Sequence, residues 1–399
     1  MKVCVTGIGC ISGIGLNVAE HLRSFREGRT GLGPVSLFPT HHDVPVSEVK
    51  QSNEALKQQL CIPETAPLTR TALLGMIAAR EALSDAGIDT SRGPAGLRIG
   101  LISSTSTGGM DRTEVFYPAF RANPSGGRLR DVVSHDAGDS TERIAALLGI
   151  SGFRTTVSTA CSSAANALIL GARLIRQGVL DVVLAGGTDA LCKFTLNGFA
   201  SLLILDKAPC RPFDESRAGL NLGEGAGYLV LQSEATLDKQ PYCYLSGYAN
   251  ANDAYHQTAS SSDGTGAWLA MKGALEKAGV QPDEVDYINA HGTGTPNNDA
   301  SESMAISRLF GERTPAFSST KAFTGHTLGA AGGIEAVFSV LSLRHGILYP
   351  NLNFTSPIAG TELIPVARYQ EGVLLHNVLS NSFGFGGNNA SLLFQRYNR

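Results

Sequence analysis

Apolar positions along the chain recur in two alternating rhythms. Lys2–Val5 reads as a strand, and Val18, Leu22 and Phe25 then follow at the spacing of an amphipathic helix. From Thr69 to Asp85, Ala72, Leu73, Met76, Ile77 and Leu83 predict a second helix, and Leu97–Ser103 predicts the next strand. Asp139 and Glu142 have the look of a capping box ahead of Ile144–Leu148. Asp181–Ala185, Tyr228–Gln232, Val285–Asn289 and Leu375–Leu379 predict further short strands. Strands alternating with helices in this way define an α/β architecture, with sheets covered by helices.

Two segments depart from the amphipathic rule. VSTACSSAANALILGA (157–172) and AFTGHTLGAAGGI (322–334) carry no Lys, Arg, Asp or Glu and are crowded with small residues. A helix without a charged face is buried on all sides. One such element in each half, each with a reactive side chain near its start, points to an internal duplication. The stretch Gln232–Tyr242 is the expected join, giving halves at 1–240 and 241–399.

Composition narrows the class. Of 399 residues, 43% are hydrophobic and 17% charged, enough apolar material for a large core. Lys plus Arg (32) nearly balances Asp plus Glu (35), which argues against nucleic acid or an anionic membrane surface as partner. The 46 glycines exceed the usual share of about 7% and imply tight turns and close backbone contacts. Seven scattered cysteines with no CxxC fit a reducing compartment rather than a disulfide framework or zinc site. The start, MKVCVTGIGCISGIGL, is broken by glycines and has no cleavage pattern, and no apolar run is long enough to span a bilayer. The expectation is a cytoplasmic protein.

Cys161, in TACSSA, stands just before a helix-like run, where the helix dipole and backbone N–H groups would lower its thiol pKa. Cys4, Cys10, Cys61, Cys192, Cys210 and Cys243 have no such company and read as structural. His291 in NAHGTGTPNND would sit at a strand end before a Gly/Thr loop. His326 follows in TKAFTGHTLGAAGGIEA, five positions after Lys321 and nine before Glu335. Histidines in such uncharged surroundings, with a candidate nucleophile elsewhere, suit acid/base and oxyanion work. In NSFGFGGNNASLLF, Gly384, Gly386 and Gly387 allow backbone angles that could aim an N–H at a developing negative charge.

TACSSAANAL, NAHGTGTPNND, STKAFTGHTLGAAGG and NSFGFGGNN, in this order and spacing, resemble the β-ketoacyl-ACP synthases of the elongating Cys-His-His class. The resemblance runs from VCVTG through CRPFDESRAGLNLGEGAG to the C-terminus. It implies a thiolase fold, two similar halves in five α-β-α-β-α layers, and a homodimer or a heterodimer with a chain-length factor. It also implies acyl-ACP and malonyl-ACP as substrates on phosphopantetheine, with no resident cofactor or metal. Residue by residue, Cys161 matches the acyl-accepting nucleophile, and His291 and His326 match the pair that binds malonyl thioester and promotes decarboxylation. Lys321 and Glu335 match a buried supporting pair, a Lys so placed needing its counter-charge. Backbone N–H groups of Cys161 and Phe385 match the oxyanion hole, Phe385 also the acyl gate, and Thr293 and Thr295 the pantetheine contacts.

Three departures stand out. Arg217-Ala218-Gly219-Leu220 replaces a frequent Arg-Asp-Gly-Phe, which puts local salt bridging in question. Thr107 stands where many fatty-acid enzymes carry a larger aliphatic side chain, so the acyl pocket is expected to be wider or more polar. GGTDALCKFTLNGF is similar to ketosynthases of aryl polyene or flexirubin-type pigments.

Other readings fit less well. TGIGCISGIG fails as a dinucleotide fingerprint, since Ser12 takes the third glycine position; its glycines are expected to shape a loop after the first strand. A degradative thiolase needs a second cysteine near the last glycine loop, and no Cys follows Cys243. Initiating and chalcone-type enzymes carry Asn where His326 stands. A cysteine hydrolase leaves the second His and the Lys321–Glu335 pair without purpose, and a non-catalytic chain-length factor would lack Cys161.

Overall fold

A computed structural model describes residues 2–90 and 96–397. These residues form the strands β1 (Val3–Ser12), β2 (Leu32–Gly33), β3 (Val46–Ser47), β4 (Ile99–Ser104), β5 (Arg154–Val157) and β6 (Val182–Asp189). They continue as β7 (Gly225–Ser233), β8 (Cys243–Asn252), β9 (Tyr287–Asn289), β10 (Ala316–Ser318), β11 (Asn377–Gly384) and β12 (Asn388–Arg396). β2 and β3 pair with each other; the other ten run in the order β10-β9-β11-β12-β8-β1-β7-β6-β4-β5.

That order contains the same five-stranded pattern twice. β5, β4 and β6 are parallel, and β7 is antiparallel to both β6 and β1. Likewise β10, β9 and β11 are parallel, and β12 is antiparallel to both β11 and β8. The two halves of the sheet join where Cys4 and Val5 pair with Tyr244 and Cys243. Helix Arg70–Ala86 covers the outer face of the first sheet, and Thr265–Ala278 that of the second. Between the sheets lie Ser163–Arg176 and Ala331–His345, packed on each other and on strands of both halves. The result is the five-layer arrangement of two similar halves that the family resemblance implied.

Alternation along a strand sends successive side chains to opposite faces. Val183 and Ala185 of β6 accordingly enter the central core, and Val182 and Leu184 the outer one. Burial on both faces makes these strands read as continuous apolar runs, so their sequence-based ends fell short. The expected strands Asp181–Ala185, Tyr228–Gln232 and Leu375–Leu379 overlap longer ones: β6 runs on through Thr188 to Asp189, β11 through Ser380, Asn381 and Ser382 to Gly384, and β7 starts earlier, at Gly225.

Three local expectations need correction. Gly7 and Gly9 do not shape a loop: they lie inside β1, which runs to Ser12. A Cβ at Gly9 would lie 2.0 Å from the Ala78 carbonyl oxygen, and one at Gly7 2.2 Å from that of Ala82. Their purpose is close approach of helix Arg70–Ala86 to the strand. Asp139 and Glu142 do not cap a helix; Asp136 does, accepting from Gly138 N at 2.6 Å, while Asp139 and Glu142 pair with Arg143 and Arg154 inside and beyond it. The small-residue segment 322–334 is not one helix. Lys321–Thr324 ends at Gly325, and the chain turns through His326 before Ala331–His345 begins. His326 N donates to Asn221 O at 2.7 Å and Gly223 N donates to His326 O at 3.0 Å, and this bridge holds the turn open.

Among the described residues, no helix is long and apolar enough to cross a membrane. Gly9→Ala should destabilise the fold by about 1–3 kcal/mol, because the overpacked methyl meets backbone rather than a movable side chain. Urea unfolding monitored by circular dichroism should show a lower midpoint with an unchanged slope.

Candidate active site

Strand β5 leads into Ala160, a non-glycine residue with φ +52, and then Cys161. Left-handed backbone at a residue with a Cβ costs on the order of 1–3 kcal/mol and persists where surroundings enforce it. Ser163 enforces it here, accepting from Thr159 N at 2.8 Å and donating to Ala160 O at 2.5 Å. The turn sets Cys161 at the head of helix Ser163–Arg176, buried at 7% exposure. Across from it, the Phe385 amide lies where it favours the Cys161 thiolate. Asn388 fixes that loop: its Oδ1 accepts from Ser162 Oγ, Asn166 Nδ2 and Asn250 Nδ2 at 2.7–2.9 Å. Gly386 and Gly387, at φ +80 and +72, allow the tight turn.

Strand β9 ends two residues before His291, and the turn after Lys321–Thr324 supplies His326. Their rings stand 5.4 Å apart at 86°. Lys321 Nζ donates to His291 O at 2.5 Å, to His291 Nδ1 at 3.3 Å and to Glu335 Oε1, so its three protons meet three acceptors. Leu328 N donates to His326 Nδ1 at 3.1 Å. With each Nδ1 accepting, the proton of each neutral imidazole sits on Nε2. Burial and the Lys321 charge hold both histidines well below their ordinary pKa. The pair is therefore two neutral N–H donors.

The thiol does not follow its expectation. Burial pushes Cys161 up to about 11, and the opposing pull of Lys321 and the Phe385 amide does not compensate. The helix terminus is real, but desolvation of a thiolate outweighs it. Burial likewise raises Glu335 to about 7 against the pull of Lys321.

Two cavities meet at Cys161. One of about 290 Å³ is lined by Cys161, His291, His326, Thr293, Thr295 and Phe385. The other, about 380 Å³, is lined by Cys161, Thr107, Phe194, Phe199, Leu328 and Phe385. Phe199 and Phe385 stack at 5.8 Å on the boundary between them. All the sequence-nominated residues thus converge. Thr293 and Thr295 share a 2.9 Å hydroxyl contact, and Thr107 donates its hydroxyl to Asp189 at 3.0 Å. His256 is exposed and lines neither cavity, and Arg217 donates to the carbonyls of Asp214 and Pro296, with no ion pair to it among the described residues. Cys61 is exposed, unlike the other five background cysteines.

Sequence reasoning missed the carboxylates beneath the site. Glu302 accepts from His291 N and Gly292 N at 2.9 and 2.8 Å, and burial raises it to about 7. Asp299 accepts from Phe213 N, Thr293 N and Gly294 N at 2.8–3.2 Å. Their i,i+3 spacing just after a Pro296 helix start was the available signal, since it puts both on one helix face.

Known proteins are similar to this chain in sequence and fold. The pattern described as "Beta-ketoacyl synthase, N-terminal domain" matches residues 1–236, and its C-terminal counterpart matches 242–355. The chain belongs to the β-ketoacyl synthase family. It is 33% identical to 3-oxoacyl-[acyl-carrier-protein] synthase 2 of Staphylococcus aureus (strain MRSA252), over 100% of this chain and 99% of that one. A solved chain of the ishigamide ketosynthase/chain length factor superposes with TM-score 0.94 at 32% identity, covering 100% and 99%. A chain of the ketosynthase (ApeO) in complex with its chain length factor (ApeC) from Xenorhabdus doucetiae gives 0.85 at 33%, covering 99% and 98%.

Alkylation of Cys161 by iodoacetamide should accelerate about tenfold per pH unit from 7 to 10 without levelling, since only the thiolate reacts. Peptide mapping separates it from exposed Cys61. A plateau below pH 8.5 would mean an activated resting thiolate.

Proposed function

We propose that this chain is a catalytic ketosynthase that extends an acyl chain by decarboxylative condensation with malonyl-ACP. Its two halves, 1–240 and 241–399, divide the work: the first carries the nucleophile, the second the histidines, Lys321 and the glycine loop. The observation that carries the reading is the convergence of Cys161, two neutral Nε2–H donors and the Phe385 amide at the junction of two cavities.

Acyl-ACP enters with its phosphopantetheine arm along Thr293 and Thr295. Cys161 sulfur attacks the thioester carbonyl, the oxyanion lies against the Cys161 and Phe385 amides, and the carbon–sulfur bond to the carrier breaks. The carrier thiol leaves with the proton that Cys161 gives up. Neither histidine takes that proton, because each Nδ1 is already an acceptor and each Nε2 already protonated. Malonyl-ACP then places its thioester carbonyl between His291 and His326. The bond to the carboxylate breaks, CO2 departs, and the electron pair enters the carbonyl as an enolate that both N–H groups stabilise. The enolate carbon attacks the acyl-Cys161 carbonyl, the carbon–sulfur bond breaks, and the sulfur takes up a proton from solvent. The substrates ride on phosphopantetheine, and the steps draw on no resident cofactor.

A second subunit is part of the proposal. Helix Met110–Ala122 has no buried residue, and Val115, Tyr117, Phe120, Leu129 and Val133 around it are exposed. An apolar patch of this size marks a protein contact. The likeness to chains of two ketosynthase/chain-length-factor complexes favours such a factor as occupant, with a second copy as the alternative. Cytoplasmic placement remains part of the same reading.

The acyl cavity favours a conjugated or aryl chain of the aryl polyene kind over a saturated fatty chain. The Thr107 hydroxyl is spent on Asp189, so the residue offers the cavity, which Phe194 and Phe199 also line, only a small apolar wall. The gain is width rather than polarity.

Cys161→Ala should abolish acyl-enzyme formation, read by intact mass after incubation with acyl-ACP. His291→Ala or His326→Ala should lower CO2 release from malonyl-ACP by about 100-fold or more, the cost of losing one oxyanion donor, while Cys161 still acylates. Decarboxylation at the parent rate in both variants would remove the histidines from this role.

Thr107→Ile should slow polyenoyl or aryl-enoyl donors more than hexanoyl-ACP, by about 10-fold, as befits one or two methylenes. Initial rates at constant malonyl-ACP test it; equal losses on both donors would favour the saturated fatty-acid reading.

A further inference from the structure

Asp189 is the last residue of β6 and is fully buried, yet among the described residues no Lys, Arg or His pairs with it. A buried carboxylate without a counter-ion must be held by hydrogen-bond donors. Its donors come from two places. From the loop after β4 come Thr105 Oγ1, Ser106 N at 3.0 Å, Ser106 Oγ at 2.7 Å, Thr107 N at 3.2 Å and Thr107 Oγ1 at 3.0 Å. From the turn after His326 comes Gly329 N at 2.6 Å. The two loops approach so closely that a Cβ at Gly329 would lie 2.8 Å from Asp189 Oδ2 and 2.9 Å from Ser106 N.

Both ends of this bridge have a second contact that matters. Thr107 lines the acyl cavity. Leu328, which precedes Gly329, lines the same cavity, has φ +53, and donates its N–H to His326 Nδ1. Thus one carboxylate joins the wall an acyl chain touches to the peptide unit that orients a histidine ring. Shifting either loop by a few tenths of an ångström alters the other, because a close-packed, fully bonded junction has no slack.

We propose that Asp189 is a positioning residue that couples occupancy of the acyl cavity to the orientation of His326, so that malonyl decarboxylation proceeds when Cys161 is loaded. This rests on the reading of His326 as a decarboxylation donor. The coupling prevents wasteful loss of CO2 from malonyl thioester when no acyl acceptor is in place. It needs no movement of the fold, only retention of the Leu328 N–H in line with Nδ1.

The test caps Cys161 in two ways, in a Cys61→Ser background. Iodoacetamide leaves the acyl cavity empty, and an N-octyl haloacetamide fills it; CO2 release from malonyl-ACP is then measured for each. In the parent the octyl cap should release CO2 faster by about 5-fold or more, the low end of ordinary coupling between sites. Asp189→Asn should bring that ratio close to one, and Thr107→Val, which removes a single hydroxyl from the bridge, should give an intermediate ratio. A parent ratio of one overturns the inference. So does an Asp189→Asn protein that is slower under both caps but keeps the parent ratio, the mark of a merely structural role. If Asp189→Asn does not fold, the Thr107→Val ratio decides in the same sense. His326→Ala releasing CO2 at the parent rate would instead overturn the assignment of His326 itself.

Discussion

Lys321 is the charge around which the site is assembled. Buried at 1% exposure, its ammonium can exist there only with every proton bonded and a counter-charge in reach. Glu335, from the central helix Ala331–His345, supplies the charge, and His291 supplies both a carbonyl and Nδ1. One cation thereby fixes the ring orientation of His291, its tautomer, and the height of the central helix against β9. The same charge suppresses protonation of both histidines and only partly offsets the rise that burial imposes on the Cys161 thiol. Breaking such a pair costs about 3–5 kcal/mol, because the remaining partner is stranded in low dielectric.

A second tier of buried carboxylates does for the backbone what Lys321 does for the rings. Glu302 and Asp299 gather the amides of the His291–Gly294 turn, and Asp189 gathers those of Ser106, Thr107 and Gly329. Glu224 plays a similar part further out, accepting from Val49 N and Leu191 N and pairing with the equally buried Arg70. Loops rich in Gly and Thr would otherwise be loose, and two donors set on one cavity need fixed supports to keep their geometry. Carboxylates that accept several amides each convert those loops into rigid supports.

The stacked Phe199–Phe385 pair lies on the boundary between the two cavities that Cys161 lines. Phe385 thus sets its amide to favour the Cys161 thiolate and its ring on that boundary. The amide is held by the loop that Asn388 anchors, whereas the ring is half-buried and stacks on Phe199.

Much was legible along the chain. Apolar periodicity located the helices at Arg70–Ala86 and Val18–Glu27, because 3.6-residue spacing against one core is a local property. Small, uncharged runs around Cys161 and His326 marked the central layer, since only such residues let two helices and two sheets meet closely. What the linear pattern could not supply depends on neighbours remote in sequence. Gly7 and Gly9 looked like a loop because the helix that needs their missing side chains lies some seventy residues on. The raised Cys161 pKa is set by desolvation, which no local motif encodes. Asp189, Asp299 and Glu302 looked like ordinary polar residues until folding enclosed them with the amides they bind. The sequence by itself determined the duplicated α/β plan and nominated the side chains that meet at its centre; the tertiary structure alone decided their convergence and their protonation, because burial and long-range charge exist only once the layers close.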